Sequence, residues 1–166
     1  LVDYLTKEGA KVYISDISED RLEAVSKKYN AVIFTDPDVY SADVDIYAPC
    51  ALGATINDET IHRFKAKIIA GAANNQLGDE LTHGQILREM GIVYAPDFLI
   101  NAGGIINVYA ELEKYGREEI MKKTENIYNT TLEILQSAEK NDITTHFAAL
   151  KIAQQRIDDR KKQNVK

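Results

Sequence analysis

Apolar residues in this chain recur first at the spacing of a helix and then at that of a strand, and the pattern keeps switching between the two. Leu1, Val2, Tyr4 and Leu5 mark one side of a helical stretch that stops at Gly9, a residue that commonly ends helices. From Lys11 to Asp16 the residues alternate and β-branch as a strand does, with an acid at the carboxyl end. Ser18, followed by Glu19 and Asp20, predicts an N-cap and an acidic first turn for a helix through Leu22, Val25 and Tyr29. Ala31–Phe34 predicts a further short strand, leading into the turn Asp36-Pro37-Asp38. Val44–Cys50 and Lys67–Gly71 are the next strands. Between them Asn57–Thr60 caps a short helix, and after them come a helix over Asp79–Met90 and a last strand at Ile92–Ala95. Short strands alternating with helices predict an α/β fold with a doubly wound parallel sheet.

The final third is expected to be helical, over Arg117–Lys140 and Thr144–Lys162, with a frayed end at Lys161–Lys166. Ile120, Thr124, Ile127, Thr131, Ile134, Leu135 and Ala138 fall near a helical repeat, so one face is buried. Ala95–Val108 fits neither period. It carries a proline, adjacent Gly103 and Gly104, two asparagines and large aliphatic residues. Glycine costs roughly 1 kcal/mol relative to alanine inside a helix. Two readings offset that cost: close approach of a ligand or another backbone, or a helix start with a tight packing contact.

Composition narrows the classes. The 166 residues suit one domain of ordinary size. A net charge of −6 and the lack of a basic stripe argue against nucleic-acid binding. No apolar run approaches the roughly 20 residues of a membrane span, so no membrane partner is expected. Cys50 is the single cysteine, as a reducing cytoplasm allows, and a cytoplasmic location is expected. His62, His83 and His146 show no metal-ligand spacing. They are expected at the surface or as caps, and no metal is expected.

In a parallel sheet, ligands bind beyond the carboxyl ends of the strands. Those ends are Asp16, Ala48-Pro49-Cys50, Gly71–Asn75 and Pro96–Asn101. In a dinucleotide-binding unit an acid at the position of Asp16 lies roughly 20 residues after the phosphate-binding glycines, which places those glycines before Leu1. It would accept from the adenosine ribose hydroxyls and repel a 2′-phosphate, which points to NAD. The alternative is that Asp16 caps the turn into Ser18. Cys50 reads as a small buried apolar residue rather than a nucleophile. Asn57 and Asn107 read as cap and helix-polar residues. Ile105 and Val108, on one helix face, suit either a pocket wall or core.

The segments Ala48–Gly53, Ile69–Leu77, Met90–Asp97 and Asn101–Val108 resemble the amino acid dehydrogenases that deaminate glutamate, leucine, phenylalanine and valine, in the leucine-type branch. The resemblance covers almost the whole chain and continues through Ile143–Ile157. It implies an NAD-binding Rossmann-like domain over residues 1–115, incomplete at its start, and a helical segment over 116–166 that packs back on the enzyme. The first strand and its glycine-rich loop are expected to be missing, which would leave two unpaired inner sheet edges.

Residue by residue, the resemblance gives Asp16 and its neighbour Ile17 to the adenosine ribose. Ala48, Pro49, Cys50 and Ala51 go under the adenine-ribose and nicotinamide half of NAD. Ala73, Asn74 and Asn75 become the floor beneath the nicotinamide ribose, and Asn101 meets the carboxamide or ribose. Ile105 and Val108 wall the pocket for an aliphatic substrate side chain. The implied reaction is NAD-dependent oxidative deamination of a branched-chain L-amino acid, leucine preferred, to a 2-keto acid, ammonia and NADH.

The family's catalytic lysines and acid-base aspartate sit in a separate N-terminal domain, so no residue here takes a catalytic role. The chain alone is expected neither to turn over leucine nor to bind NAD tightly. A homo-oligomer, an octamer by resemblance, is expected. The alternatives are a phenylalanine, valine or glutamate dehydrogenase of the same family, or a non-catalytic dinucleotide-binding module.

Overall fold

Gly9 ends the first helix as its sequence context predicts. In the computed structural model, which describes residues 1–164, α1 (Val2–Lys7) is followed by Gly9 at φ +83°. The Gly9 N–H donates to Thr6 O at 3.1 Å and the Ala10 N–H to Leu5 O at 3.0 Å. Both bonds of a Schellman ending are present. The helix α2 (Glu19–Tyr29) starts after Ser18 and ends at Asn30, in the left-handed region at φ 55°. The Ser18 hydroxyl makes no cap bond; the Asp16 carboxylate instead accepts the Ser18 N–H at 2.9 Å. The strands β1 (Tyr13–Ile14) and β2 (Val32–Ile33) pair in parallel, Tyr13 opposite Val32 and Ile14 opposite Ile33.

These elements form one compact unit, Leu1–Ala42, and the rest of the chain forms a second from Asp43 onward. In the second unit β3 (Ile46–Tyr47), β4 (Ile68–Ile69) and β5 (Val93–Tyr94) make a parallel sheet in the order β3-β4-β5. Among the described residues the strands fall into two parallel sheets, and β1 and β3 are each hydrogen-bonded to a strand along one edge alone, the two unpaired edges that the resemblance implies. Register puts Tyr47, Ile69 and Tyr94 in one row and Ile46, Ile68 and Val93 in the other. The first row faces the core, where Tyr94 and Ile69 are buried and Tyr47 stacks at a tilt on Phe64 with ring centres 5.0 Å apart. The second row is exposed, at 51%, 36% and 42%.

The core face is sealed by α3 (Glu80–Glu89) and the loop before it. Asp79 caps α3 by accepting the Thr82 N–H at 2.6 Å, and that bond holds its carboxyl below the usual carboxylate range. Asn57 accepts from the N–H groups of Glu59 and Thr60 at 3.0 and 3.2 Å, but the predicted helix after it is a single 3-10 turn, Ile61–Arg63. His83 and His146 are buried, so of the two roles expected of them the surface one fails, while His83 bonds the helix start as a cap would. His83 joins two segments: Nδ1 accepts the Asp79 N–H at 2.8 Å, and Nε2 meets Asp58 Oδ1 at 3.0 Å. His146 Nε2 lies 3.3 Å from Glu80, with the Phe98 ring edge-on at 5.6 Å.

After β5 the chain is helical: α4 (Asp97–Ile100), α5 (Gly103–Glu113), α6 (Arg117–Glu125), α7 (Ile127–Asn141) and α8 (Thr145–Asn164). The frayed end expected from Lys161 is helical through Asn164, and Val165 and Lys166 lie outside the described residues. On α7 and α8, Ile134, Ala138, Ala148 and Ala149 form a buried cluster, with Leu99 of α4, Ile143 and Ile152 packed against it. Alanines at this contact let the two helices approach closely. The same cluster braces α4 from behind.

Among the described residues no helix is long and apolar enough to cross a membrane. Ala148 is fully buried in the α7–α8 contact, so Ala148→Leu is expected to overpack it and cost about 1–3 kcal/mol in denaturant unfolding.

Candidate functional site

The loops that leave the carboxyl ends of β3, β4 and β5 are bound to one another mainly through backbone. Gly71, just after β4, lies so close to the loop after β3 that a Cβ there would sit 2.1 Å from the Pro49 carbonyl oxygen. The Ala73 N–H donates to that oxygen at 2.9 Å. Gly53 makes the reciprocal approach: its Cβ would lie 2.6 Å from Asn74 O and 2.9 Å from Asn75 O. Beside it the Ala54 N–H donates to Asn75 O at 2.7 Å, and the Ile56 N–H to Gln76 O at 3.1 Å.

Ala54 and Asn75 both sit in the left-handed region, at φ 53° and 51°. Asparagine tolerates that conformation; for alanine it costs about 1 kcal/mol. Strain of this kind persists where surrounding contacts over-determine it. Here two left-handed residues are joined by one hydrogen bond, the Ala54 N–H to Asn75 O.

Beneath these loops Gln76 is fully buried and donates Nε2 to Gly71 O at 2.6 Å and Ala73 O at 2.9 Å. Its Oε1 is buried without a hydrogen-bond partner. The loop after β5 supplies Asp97, 8% exposed at the start of α4. One carboxylate oxygen accepts the Asn75 N–H and the other the Tyr94 hydroxyl, at 3.1 Å. Burial, and next the charge of Asp97, push the Tyr94 phenol up, so it remains a donor. At the far end of α4, Asn101 Nδ2 donates to Asn74 Oδ1 at 2.5 Å and reaches Ala72 O at 3.5 Å.

Pro49, Ala73, Asn74, Asn75 and Asn101, five of the residues singled out from the sequence, therefore meet in one assembly. Ala73 and Pro49 are buried within it, while Asn74 and Asn75 are exposed on it. Ala48 is half-buried and Ala51 exposed. Cys50 is exposed, not the buried apolar residue expected, because the chain turns outward after the buried Pro49.

Ile105 and Val108 are 71% and 58% exposed, which removes the core reading for both. Nor does the glycine pair before them make a tight packing contact. A Cβ on Gly103 would meet only Thr124 Cγ2, at 3.8 Å, and one on Gly104 would meet nothing within 4 Å. In the first unit, Asp16 accepts the Ser18 N–H and lies 3.4 Å from the Arg21 guanidinium, while Ile17 is fully exposed.

Sequence reasoning placed Gly71 and Asp97 at strand ends where ligands bind but gave neither a role, and it gave none to Gln76 or Gly53. The available signal was chemical: an acid directly after a strand-end proline, and a glutamine among small residues, both where an apolar core was due.

Residues 5–164 match the family model of glutamate, leucine, phenylalanine and valine dehydrogenase. The chain belongs to this family of amino acid dehydrogenases. Leucine dehydrogenase of Bacillus cereus is 47% identical over 157 residues, which is 95% of this chain and 43% of that protein. L-tryptophan dehydrogenase of Nostoc punctiforme is 43% identical over all of this chain and 47% of its own length. The crystal structure of the Nostoc enzyme superposes with a TM-score of 0.92 over 96% of this chain and 48% of that one. A hetero-hexameric glutamate dehydrogenase from Thermus thermophilus shares the fold at a TM-score of 0.62 and 18% identity, over 84% of this chain and 36% of that one. The chain thus spans less than half the length of these dehydrogenases.

Two glycines of this chain differ in what a Cβ would meet. Gly71→Ala is expected to lower stability by about 2–3 kcal/mol, because backbone cannot yield to the new Cβ. Gly104→Ala meets open space in a helix, so thermal unfolding of the full-length protein should hold or rise by up to about 1 kcal/mol equivalent. If a ligand approaches there, turnover falls at the same time.

Proposed function

We propose that this chain is the cofactor side of an NAD-dependent dehydrogenase that oxidatively deaminates a branched-chain L-amino acid, with leucine preferred. The observation that carries the reading is the locked assembly of strand-end loops around Asn74, Asn75 and Asn101, in a chain of the amino acid dehydrogenase family. Parallel pairing of every strand and the siting of these loops at strand carboxyl ends support a Rossmann-like, doubly wound domain over residues 1–115, with 116–166 as a returning helical segment.

The residues present fit a nicotinamide dinucleotide. The Asn74–Asn101 pairing uses one amide hydrogen of Asn101 and the carbonyl of Asn74, leaving a carbonyl and an NH2 group to face a carboxamide, which offers the complementary pair. Asp16 Oδ1 takes the Ser18 N–H and the Arg21 pairing, which leaves Oδ2 for the adenosine ribose hydroxyls, with Ile17 alongside. Ala48, Pro49, Cys50 and Ala51 give a small-residue surface on which a flat group can lie. NAD, when bound, takes up the hydride from the amino acid Cα. This chain's part is positioning: Ala73, Asn74 and Asn75 hold the floor and Asn101 the ring face, and such alignment supplies several kcal/mol.

For the substrate, Ile105 and Val108 present two branched side chains to solvent at the start of α5. They suit an aliphatic side chain and offer a glutamate carboxylate no partner. A homo-oligomer in the cytoplasm completes the reading.

Steady-state rates of the full-length protein on an amino acid panel test it: leucine, isoleucine and valine are expected to exceed phenylalanine, tryptophan and glutamate. Faster glutamate or tryptophan oxidation would overturn the aliphatic wall. Asp16→Ala is expected to weaken NADH binding more than NADPH binding in fluorescence titration, since the acid is lost while Arg21 stays beside the site. Equal losses would remove Asp16 from the ribose.

A further inference from the structure

Asp97 is a buried carboxylate whose two oxygens are each spoken for, and both donors belong to the same corner of the fold: the Asn75 N–H and the Tyr94 hydroxyl. Burying a carboxylate is unfavourable unless its acceptors are satisfied. A carboxylate kept at such a spot constrains the groups it binds. The one it binds most directly is the backbone of Asn75, a left-handed residue at φ 51° that the Asp97 bond helps to hold.

From Asn75 the constraint spreads. Its carbonyl accepts the Ala54 N–H, so the loop after β3 follows any shift of Asn75. The neighbouring Asn74 side chain accepts from Asn101, which stands at the other end of the single turn α4 that Asp97 begins. The Ala73–Asn75 floor is therefore gripped twice by α4, on its backbone by Asp97 and on its side chain by Asn101. Behind α4, Leu99 packs against the α7–α8 cluster, so the grip has a rigid back.

We infer, on the basis of the cofactor reading above, that Asp97 is a positioning residue for hydride transfer: its carboxylate fixes the height and tilt of the floor beneath the nicotinamide ribose without touching cofactor or substrate. The partition of its oxygens gives the inference its test. An asparagine at 97 keeps one acceptor for the Asn75 N–H and turns an NH2 toward the Tyr94 oxygen, so the grip survives in weakened form. An alanine abolishes it.

The experiment compares Asp97→Ala and Asp97→Asn with the wild type, all as full-length protein, by NADH fluorescence titration, by kcat and KM for leucine, and by thermal unfolding. Asp97→Ala is expected to weaken NADH binding about tenfold and to lower kcat more than it changes the KM for leucine. Asp97→Asn is expected to fall between alanine and wild type in both. A role in folding alone would lower the unfolding temperature and leave NADH affinity and kcat of the folded protein unchanged, and that result overturns the inference.

Should Asp97→Ala fail to fold, Asp97→Asn decides alone: a several-fold loss of NADH affinity with intact circular dichroism supports the role, and wild-type affinity and kcat defeat it. Wild-type protein that binds neither NADH nor NADPH would instead defeat the cofactor reading itself, and the inference with it.

Discussion

The candidate site depends on the backbone of one residue, Asn75. Its N–H is accepted by the buried Asp97 carboxylate, and its carbonyl accepts the Ala54 N–H at 2.7 Å. Neither partner can move away without leaving a polar group unsatisfied or a left-handed residue unsupported. Gly53 and Gly71 are conditions of this arrangement, since a Cβ at either would meet backbone oxygen at 2.6 or 2.1 Å. Backbone, not side-chain packing, sets the shape of this corner.

The helical third of the chain serves the same corner from a distance. The buried alanines of α7 and α8 bring those helices close, and Leu99 leans on them. Leu99 lies between Asp97 and Asn101, so a contact that looks purely structural also fixes the two ends of the grip on Ala73–Asn75. Edge-on packing of Phe98 against His146 adds a second brace to the same turn.

Much of the element plan was legible because its punctuation is local. Gly9, Asn57, Asp79 and the strand-end Pro96 act within a few residues of themselves, and each sits where its neighbours require it. The features that were not legible all need a partner far along the chain. That Gly71 abuts Pro49, that Asp97 reaches Asn75, and that His83 joins Asp58 are consequences of the parallel crossover, which no window of sequence contains. The role of Asp16 is divided in the same way: its bond to the Ser18 N–H is local and was foreseen as one alternative, while its fitness for a ribose depends on a ligand. Periodicity located the strands, and the resemblance, not the alternation, implied the two unpaired edges at β1 and β3.

Ile105 and Val108 stand outside this framework of main-chain bonds, at 71% and 58% exposure on a helix whose glycine pair meets almost nothing of its own chain. Residues that carry no share of the fold's stability are free to drift. On the reading proposed above, the frame around Asn75 and the wall at Ile105 and Val108 are separate sets of residues, so selection can retune the wall in small steps without passing through unfolded intermediates.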